Sequence, residues 1–212
     1  MASFISSTTF IGDDSSETFR GPQQNQYGIG GNDYLAPNVD NKSYFLYGGN
    51  GNDDLLGFNF DDEIYGGRDD DDLYGYDGWD ELDGGSGADH LYGGYGNDIL
   101  SGGSGQDSFF FDTALNKQQN FDNILDFVSG SGGDLMLLSK AVFNRAGSVD
   151  DFLSSRKFEV GSEATSSKTR ILYNENKGVV FYTPNGDNGS QTKFAKVTKG
   201  MDLDPDDFFI IA

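Results

Sequence analysis

Apolar side chains recur at every ninth position between residues 48 and 110. Leu55, Ile64, Leu73, Leu82, Leu91, Leu100 and Phe109 each stand in the middle of a three-residue stretch, followed by a glycine in all but the last. An apolar residue between two outward-facing ones is the pattern of a short strand with one buried face. Aligned on that position, the chain reads GGNGNDDLL, GFNFDDEIY, GGRDDDDLY, GYDGWDELD, GGSGADHLY, GGYGNDILS and GGSGQDSFF, seven units without an insertion. The first position is always glycine (Gly48, Gly57, Gly66, Gly75, Gly84, Gly93, Gly102). The sixth is always aspartate (Asp53, Asp62, Asp71, Asp80, Asp89, Asp98, Asp107). Glycine at position four fails only at Phe60 and Asp69.

The pattern fades upstream. Residues 28–36 keep Gly31, Asp33 and Leu35 in place; residues 39–47 keep only Leu46 after a two-residue slip; residues 12–20 form a weaker unit with Phe19 in the apolar place. Glycine-rich turns alternating with short strands predict an 18-residue coil whose strands enter two parallel sheets, with eighth-position side chains meeting inside. The expected fold is all-β, a parallel β-roll (β-solenoid) with a small mostly-β C-terminal cap. Its expected divisions are degenerate N-terminal coils over 1–27, the roll over 28–110 and the cap over 111–212. Within the cap, 123–127, 170–174, 178–183 and 192–197 read as strands, the last three antiparallel and joined by NENKG and PNGDNG turns. Residues 139–145 and 148–155 read as short helices. Such a cap would cover the open end of the roll.

Charge turns this fold into a chemical problem. The 212 residues carry 14 Lys and Arg against 35 Asp and Glu, a formal charge of −21. The seven units hold 16 of the acids and a single Arg, Arg68. Sixth-position aspartates 18 residues apart stack on one edge, Asp53, Asp71, Asp89 and Asp107, with Asp62, Asp80 and Asp98 on the other. Strands lie about 4.8 Å apart, and carboxylates about 5 Å apart repel by roughly 3 kcal/mol at an effective dielectric of about 20. A cation between successive turns removes that repulsion. Carboxylates and turn carbonyls make an all-oxygen site, which suits Ca²⁺. Mg²⁺ needs tighter octahedral geometry, and zinc normally takes His or Cys, of which the chain has one and none.

The units resemble the hemolysin-type calcium-binding repeats of RTX proteins. The resemblance implies a β-roll holding several Ca²⁺ ions, about five or six, between adjacent turns. It implies as carboxylate ligands the seven sixth-position aspartates, and as carbonyl ligands Gly49, Gly51, Gly67, Gly78, Gly85, Gly87, Gly94, Gly96, Gly103 and Gly105. Phe58, Phe60 and Asp69 depart from the family's turn, which puts sites of the second and third units in doubt. Asp33, on the same edge as Asp53, is a further candidate ligand. Segments 109–143 and 170–212 resemble the regions that follow such rolls in secreted bacterial proteins. The resemblance also implies export by type I secretion machinery through an uncleaved C-terminal signal, matched by Asp206-Asp207-Phe208-Phe209-Ile210-Ile211, and a secreted, extracellular or cell-surface location. The bland alternative for that segment is a last edge strand capped by Asp204 and Pro205.

Other functions find little support. The acidic balance argues against nucleic acid and anionic membranes, no apolar run reaches 18 residues, and residues 1–10 lack the features of a secretory signal peptide. With no cysteine there are no disulfides. There is no H-E-x-x-H, no G-x-S-x-G and no phosphate loop, so the chain reads as a non-enzyme. His90 reads as a surface residue and Trp79 as packing. Asp112, Asp122, Asp126 and Asp134 are either junction ligands or solvated turn acids. Residues 185–189 read as a hairpin turn and not as a calcium loop. Leu56, Tyr74, Tyr92 and Phe110 form an outer stripe, with Tyr47 and Tyr65 on the opposite face. Such a stripe either grips an extracellular glycan or reflects strand preference and flanking cover.

Overall fold

The computed structural model describes residues 3–6, 9–22, 24–38, 42–116 and 120–212. The start of the unit at 39–47 lies outside these residues, as do positions 1, 2, 7, 8 and 23 of the N-terminal segment. Successive nine-residue units feed alternate sheets. Phe45–Asn50, Glu63–Arg68, Glu81–Ser86 and Ile99–Ser104 pair in parallel on one side; Asp54–Asn59, Asp72–Asp77, His90–Tyr95 and Ser108–Phe111 pair in parallel on the other. Register is kept by the eighth position: Leu46, Ile64, Leu82 and Leu100 stand in line, and so do Leu55, Leu73, Leu91 and Phe109. All eight are fully buried between the sheets. The fold is therefore a parallel β-solenoid of the β-roll kind.

The strands are six residues long where the triplet pattern suggests three. Position-one glycines do not turn the chain, because none has a left-handed φ. The ladder runs through them to position three, and the left-handed residues sit at positions two and four. Units that lack glycine there adopt the same backbone at a cost: Phe58 (φ 80°), Phe60 (78°), Asp69 (73°) and Tyr76 (73°) are all left-handed. For a side chain bearing a Cβ this costs about 1–2 kcal/mol each. The departures thus change the strain of the turns and leave their path intact.

The coils continue at both ends. Phe19, Leu35 and Leu55 share one register and Phe10, Gln26 and Leu46 the other, and the Phe10 and Phe19 rings stack 4.0 Å apart at the end of the interior. Downstream, Leu100 pairs with Ile124, Phe109 with Met136, and Met136 with Phe208. The C-terminal region prolongs both sheets. Its strands Ile171–Asn174, Val179–Tyr182 and Thr192–Lys196 are antiparallel neighbours as expected, and join the roll through Asp122–Ile124.

Four expectations are corrected. Residues 139–145 form two successive hydrogen-bonded turns, closed on the Ser139 and Phe143 carbonyls, and not a helix, since Ser139 ends a strand and Phe143 and Ala146 sink into the core. Residues 148–155 are not helical either. Asp150 is left-handed (φ 58°), and the Asp150 and Leu153 N–H groups donate to the Ile210 and Phe208 carbonyls, so pairing with the last strand takes the hydrogen bonds a helix would use. At 123–127 the strand is only Asp122–Ile124. The last strand, Phe208–Ile211, is no edge: it lies between Leu135–Ser139 and Asp151–Phe152, and is preceded by a 3₁₀ turn at Pro205–Asp207 capped by Asp204. Among the described residues no helix is long and apolar enough to cross a membrane.

Candidate metal centre

Within each unit, positions one, six and eight face inward. The seven sixth-position aspartates are at most 1% exposed although they lie next to the turns. One carboxylate oxygen of each serves the backbone. On the first edge the Asp53 N–H donates to Asp71 Oδ1 (2.8 Å), Asp71 N–H to Asp89 Oδ1 (2.8 Å) and Asp89 N–H to Asp107 Oδ1 (3.0 Å). On the second edge Asp62 N–H donates to Asp80 Oδ1 (2.8 Å) and Asp80 N–H to Asp98 Oδ1 (3.0 Å). The expected columns of stacked aspartates are present, with each rung tied to the one before it by an amide.

The second oxygen is different. Oδ2 of Asp53, Asp71, Asp80, Asp89 and Asp98 is inaccessible to solvent and has no hydrogen-bond partner among the described residues. A buried carboxylate oxygen left without a donor or cation is costly. The position-one glycine exists to make room for it: a Cβ on Gly66 would stand 2.4 Å from Asp71 Oδ2 and 2.7 Å from the Gly84 carbonyl oxygen one coil on. Gly75 holds the same relation to Asp80 Oδ2 (2.4 Å) and the Gly93 carbonyl (2.7 Å). These position-one carbonyls were not legible as site neighbours from spacing alone.

Of the ten glycines that the resemblance nominates as carbonyl donors, nine are left-handed (Gly49, Gly51, Gly67, Gly85, Gly87, Gly94, Gly96, Gly103, Gly105); Gly78 is not. They lie in stacked turns, where the Gly49 carbonyl stands close against Gly67, that of Gly67 against Gly85, that of Gly78 against Gly96, that of Gly85 against Gly103 and that of Gly87 against Gly105. No group of three or more His, Asp or Glu side chains converges among the described residues. Any ion here must take backbone carbonyls as well as carboxylates, the donor set of a hard cation. The orphaned oxygens and their turn carbonyls fit Ca²⁺.

Electrostatics agree. Burial, opposed by the amide donors and reinforced by neighbouring aspartates, raises Asp71 and Asp80 to about 8 and Asp53 and Asp89 to about 7. Burial likewise raises Asp107 and Asp33 to about 6, and pushes Asp98 and Asp122 up as a pair. Without a counter-ion Asp71 and Asp80 resist ionisation at neutral pH, and Asp53 and Asp89 are only partly ionised; a divalent ion reverses that preference.

Of the four acids that read as either junction ligands or solvated turn acids, Asp122 and Asp134 are buried and extend the columns. Asp107 N–H donates to Asp134 Oδ1 (3.0 Å) and Asp98 N–H to Asp122 Oδ1 (3.2 Å), so two cap residues take the sixth position. The signal was present in GGDLM and FDNI, which keep the D-x-apolar core of the unit. Asp134 Oδ2 is already satisfied by the Val128 N–H at 2.7 Å. Asp126 caps a turn, accepting from Ser101 Oγ and from the Gly102 and Gly103 N–H groups. Residues 185–189 form a turn in which Asp187 accepts the Ser190 N–H. His90 is exposed, its Nδ1 2.8 Å from Asp72 Oδ1 on the adjacent strand. Trp79 is corrected: it is 68% exposed and not packed, because its turn is anchored through its backbone N–H to Asp61.

The family model of the RTX calcium-binding nonapeptide repeat matches residues 47–78, 56–91 and 74–109, with four copies of the repeat. No curated protein matches the chain. Residues 47–109 are thus a run of calcium-binding repeats, and their strands form the β-roll.

Proposed function

We propose that this calcium-binding repeat protein is a secreted, non-enzymatic protein whose roll folds on binding Ca²⁺ after export. The sixth-position aspartates Asp53, Asp62, Asp71, Asp80, Asp89, Asp98 and Asp107 hold the ions together with carbonyls of the glycine turns. The single observation that carries the reading is the column of buried Oδ2 atoms without partners. Calcium supplies the charge that makes these oxygens tolerable inside the roll. The chain's part is to hold them in register through the Asp N–H to Asp Oδ1 ladder and to exclude water with the apolar eighth positions. Weak oxygen sites match extracellular calcium levels, so the chain stays unfolded where calcium is scarce.

The segment 206–211 fits this order of events as the signal read by type I secretion machinery. Phe208 and Ile210 are fully buried in the folded state, so the segment is legible to a partner only before folding. Far-UV circular dichroism with EDTA and with millimolar calcium tests the reading. Strand signal that appears only with calcium supports it; full structure in EDTA at neutral pH refutes it.

A second reading, recognition of an extracellular glycan, is favoured by one surface feature. Trp79 and Tyr95, 68% and 53% exposed, flank a cleft of about 1170 Å³ rimmed by Asp61, Asp77, Asn97 and Asn116. Aromatic faces beside carboxylate and amide groups suit a neutral sugar. The outer stripe suits it less, because Tyr74, Tyr92 and Phe110 stack on one another at 4.5 and 3.9 Å and cover each other's faces. Neutral polysaccharide pull-down lost in Trp79→Ala, with calcium binding kept, supports this reading; retention in that variant refutes it.

A further inference from the structure

The matched repeats begin at residue 47. We infer that the metal column on the edge of Asp53, Asp71 and Asp89 begins one coil earlier, at Asp33, while the opposite column begins only at Asp62. This rests on the calcium reading above and adds a site that the repeats themselves do not contain.

Residues 28–36 read GIGGNDYLA, off the G-G-x-G-x-D pattern, and Asp33 lies 20 residues before Asp53 where the repeats have 18. The site is nevertheless rebuilt. Asp33 is 3% exposed, its N–H donates to Asp53 Oδ1 (2.7 Å), and its own Oδ1 accepts the Glu17 N–H (2.7 Å). Its Oδ2 is buried and has no hydrogen-bond partner among the described residues, as in the matched units. A Cβ on Gly28 would stand 2.0 Å from that oxygen and 2.5 Å from the Gly48 carbonyl. Ile29 (φ 85°) and Gly31 (φ 88°) supply left-handed residues at positions two and four.

Both columns stop for visible reasons. Glu17, next in line below Asp33, is only part-buried, and its carboxylate accepts the Asp13 N–H (3.3 Å) and the Ser15 hydroxyl (3.2 Å) of its own turn. On the other edge the sixth position of the preceding unit is Tyr44, 3% exposed, whose N–H donates to Asp62 Oδ1 (2.6 Å). It contributes a phenol where a carboxylate would be needed, and the Lys42 ammonium lies 5.4 Å from its ring centroid.

Isothermal calorimetry with Ca²⁺ on the full chain counts the ions. Asp33→Asn, which keeps an oxygen for the Glu17 N–H, is expected to bind one ion fewer than wild type, and Glu17→Gln the wild-type number. A wild-type count in Asp33→Asn, with a loss in Asp71→Asn, overturns the inference and leaves the calcium reading standing. No calcium binding by the wild-type chain overturns both. Wild-type crystals soaked in terbium, a hard-cation stand-in, decide the matter without a variant. An anomalous peak beside Asp33 Oδ2 supports the inference; peaks beside Asp53 and Asp71 with none at Asp33 overturn it.

Discussion

Replacing Gly66 by alanine separates two explanations of why the first position is invariably glycine. If glycine were there for its backbone freedom, alanine would be harmless at an ordinary φ, or stabilising by about 0.4–1 kcal/mol through the unfolded state. The packing argument gives the opposite sign. A Cβ would stand 2.4 Å from Asp71 Oδ2 and 2.7 Å from the Gly84 carbonyl, where ordinary contacts begin near 3.4 Å. The carbonyl belongs to the next coil and cannot yield without opening the ladder. The carboxylate can swing away only by giving up its bond to the Asp53 N–H. Overpacking costs about 1–3 kcal/mol, and a lost hydrogen bond to a charged group about 1.5–3 kcal/mol. Together they predict a loss of about 2.5–6 kcal/mol. Urea unfolding in saturating calcium should show the midpoint falling by about 1–3 M. Gly200→Ala is the control: φ is +80° with nothing within 4 Å of the new Cβ, so only left-handed strain of about 1–2 kcal/mol is expected. A Gly66→Ala midpoint at or above wild type would refute the reasoning.

Three further outcomes follow from the same geometry. Phe60→Gly removes a left-handed, half-exposed phenylalanine and should raise stability by about 1 kcal/mol, read from the same urea curves. Leu73→Ala empties a fully buried position between Leu55 and Leu91 and should cost about 3 kcal/mol. In EDTA the pH dependence has a definite sign. The interior aspartates hold protons more tightly folded than unfolded, so their stabilising contribution is complete below about pH 4 and is lost as pH rises through 6 to 8. Circular dichroism of the calcium-free protein should therefore show more strand at pH 4.5 than at pH 8, with calcium restoring it at pH 8; loss of structure on acidification contradicts this.

The roll was legible in the chain because one unit repeats without insertion, so three inward positions stay in phase from Gly48 to Phe109. Asp53 and its equivalents were legible for the same reason. The role of Gly66 and its equivalents was not: spacing identifies a glycine but cannot say whether φ or a neighbour's oxygen demands it. Asp122 and Asp134 were legible only as one of two alternatives, because their glycine turns are degraded and only D-x-apolar survives. Segments 139–145 and 148–155 carry helical patterning, yet burial of Phe143 and Ala146 in the first, and donation by the Asp150 and Leu153 N–H groups to carbonyls of the last strand in the second, override local preference. Trp79 could not be placed from its type, since turn residues take their exposure from anchors such as Asp61.

A crystal structure of the protein grown in calcium addresses the central claim most directly. Anomalous density is predicted between successive coils, at about 2.3–2.6 Å from Oδ2 of Asp53, Asp71, Asp80, Asp89 and Asp98 and from carbonyl oxygens of the adjoining turns. Those oxygens found instead bonded to water or protons, with no ion between the coils, would contradict it.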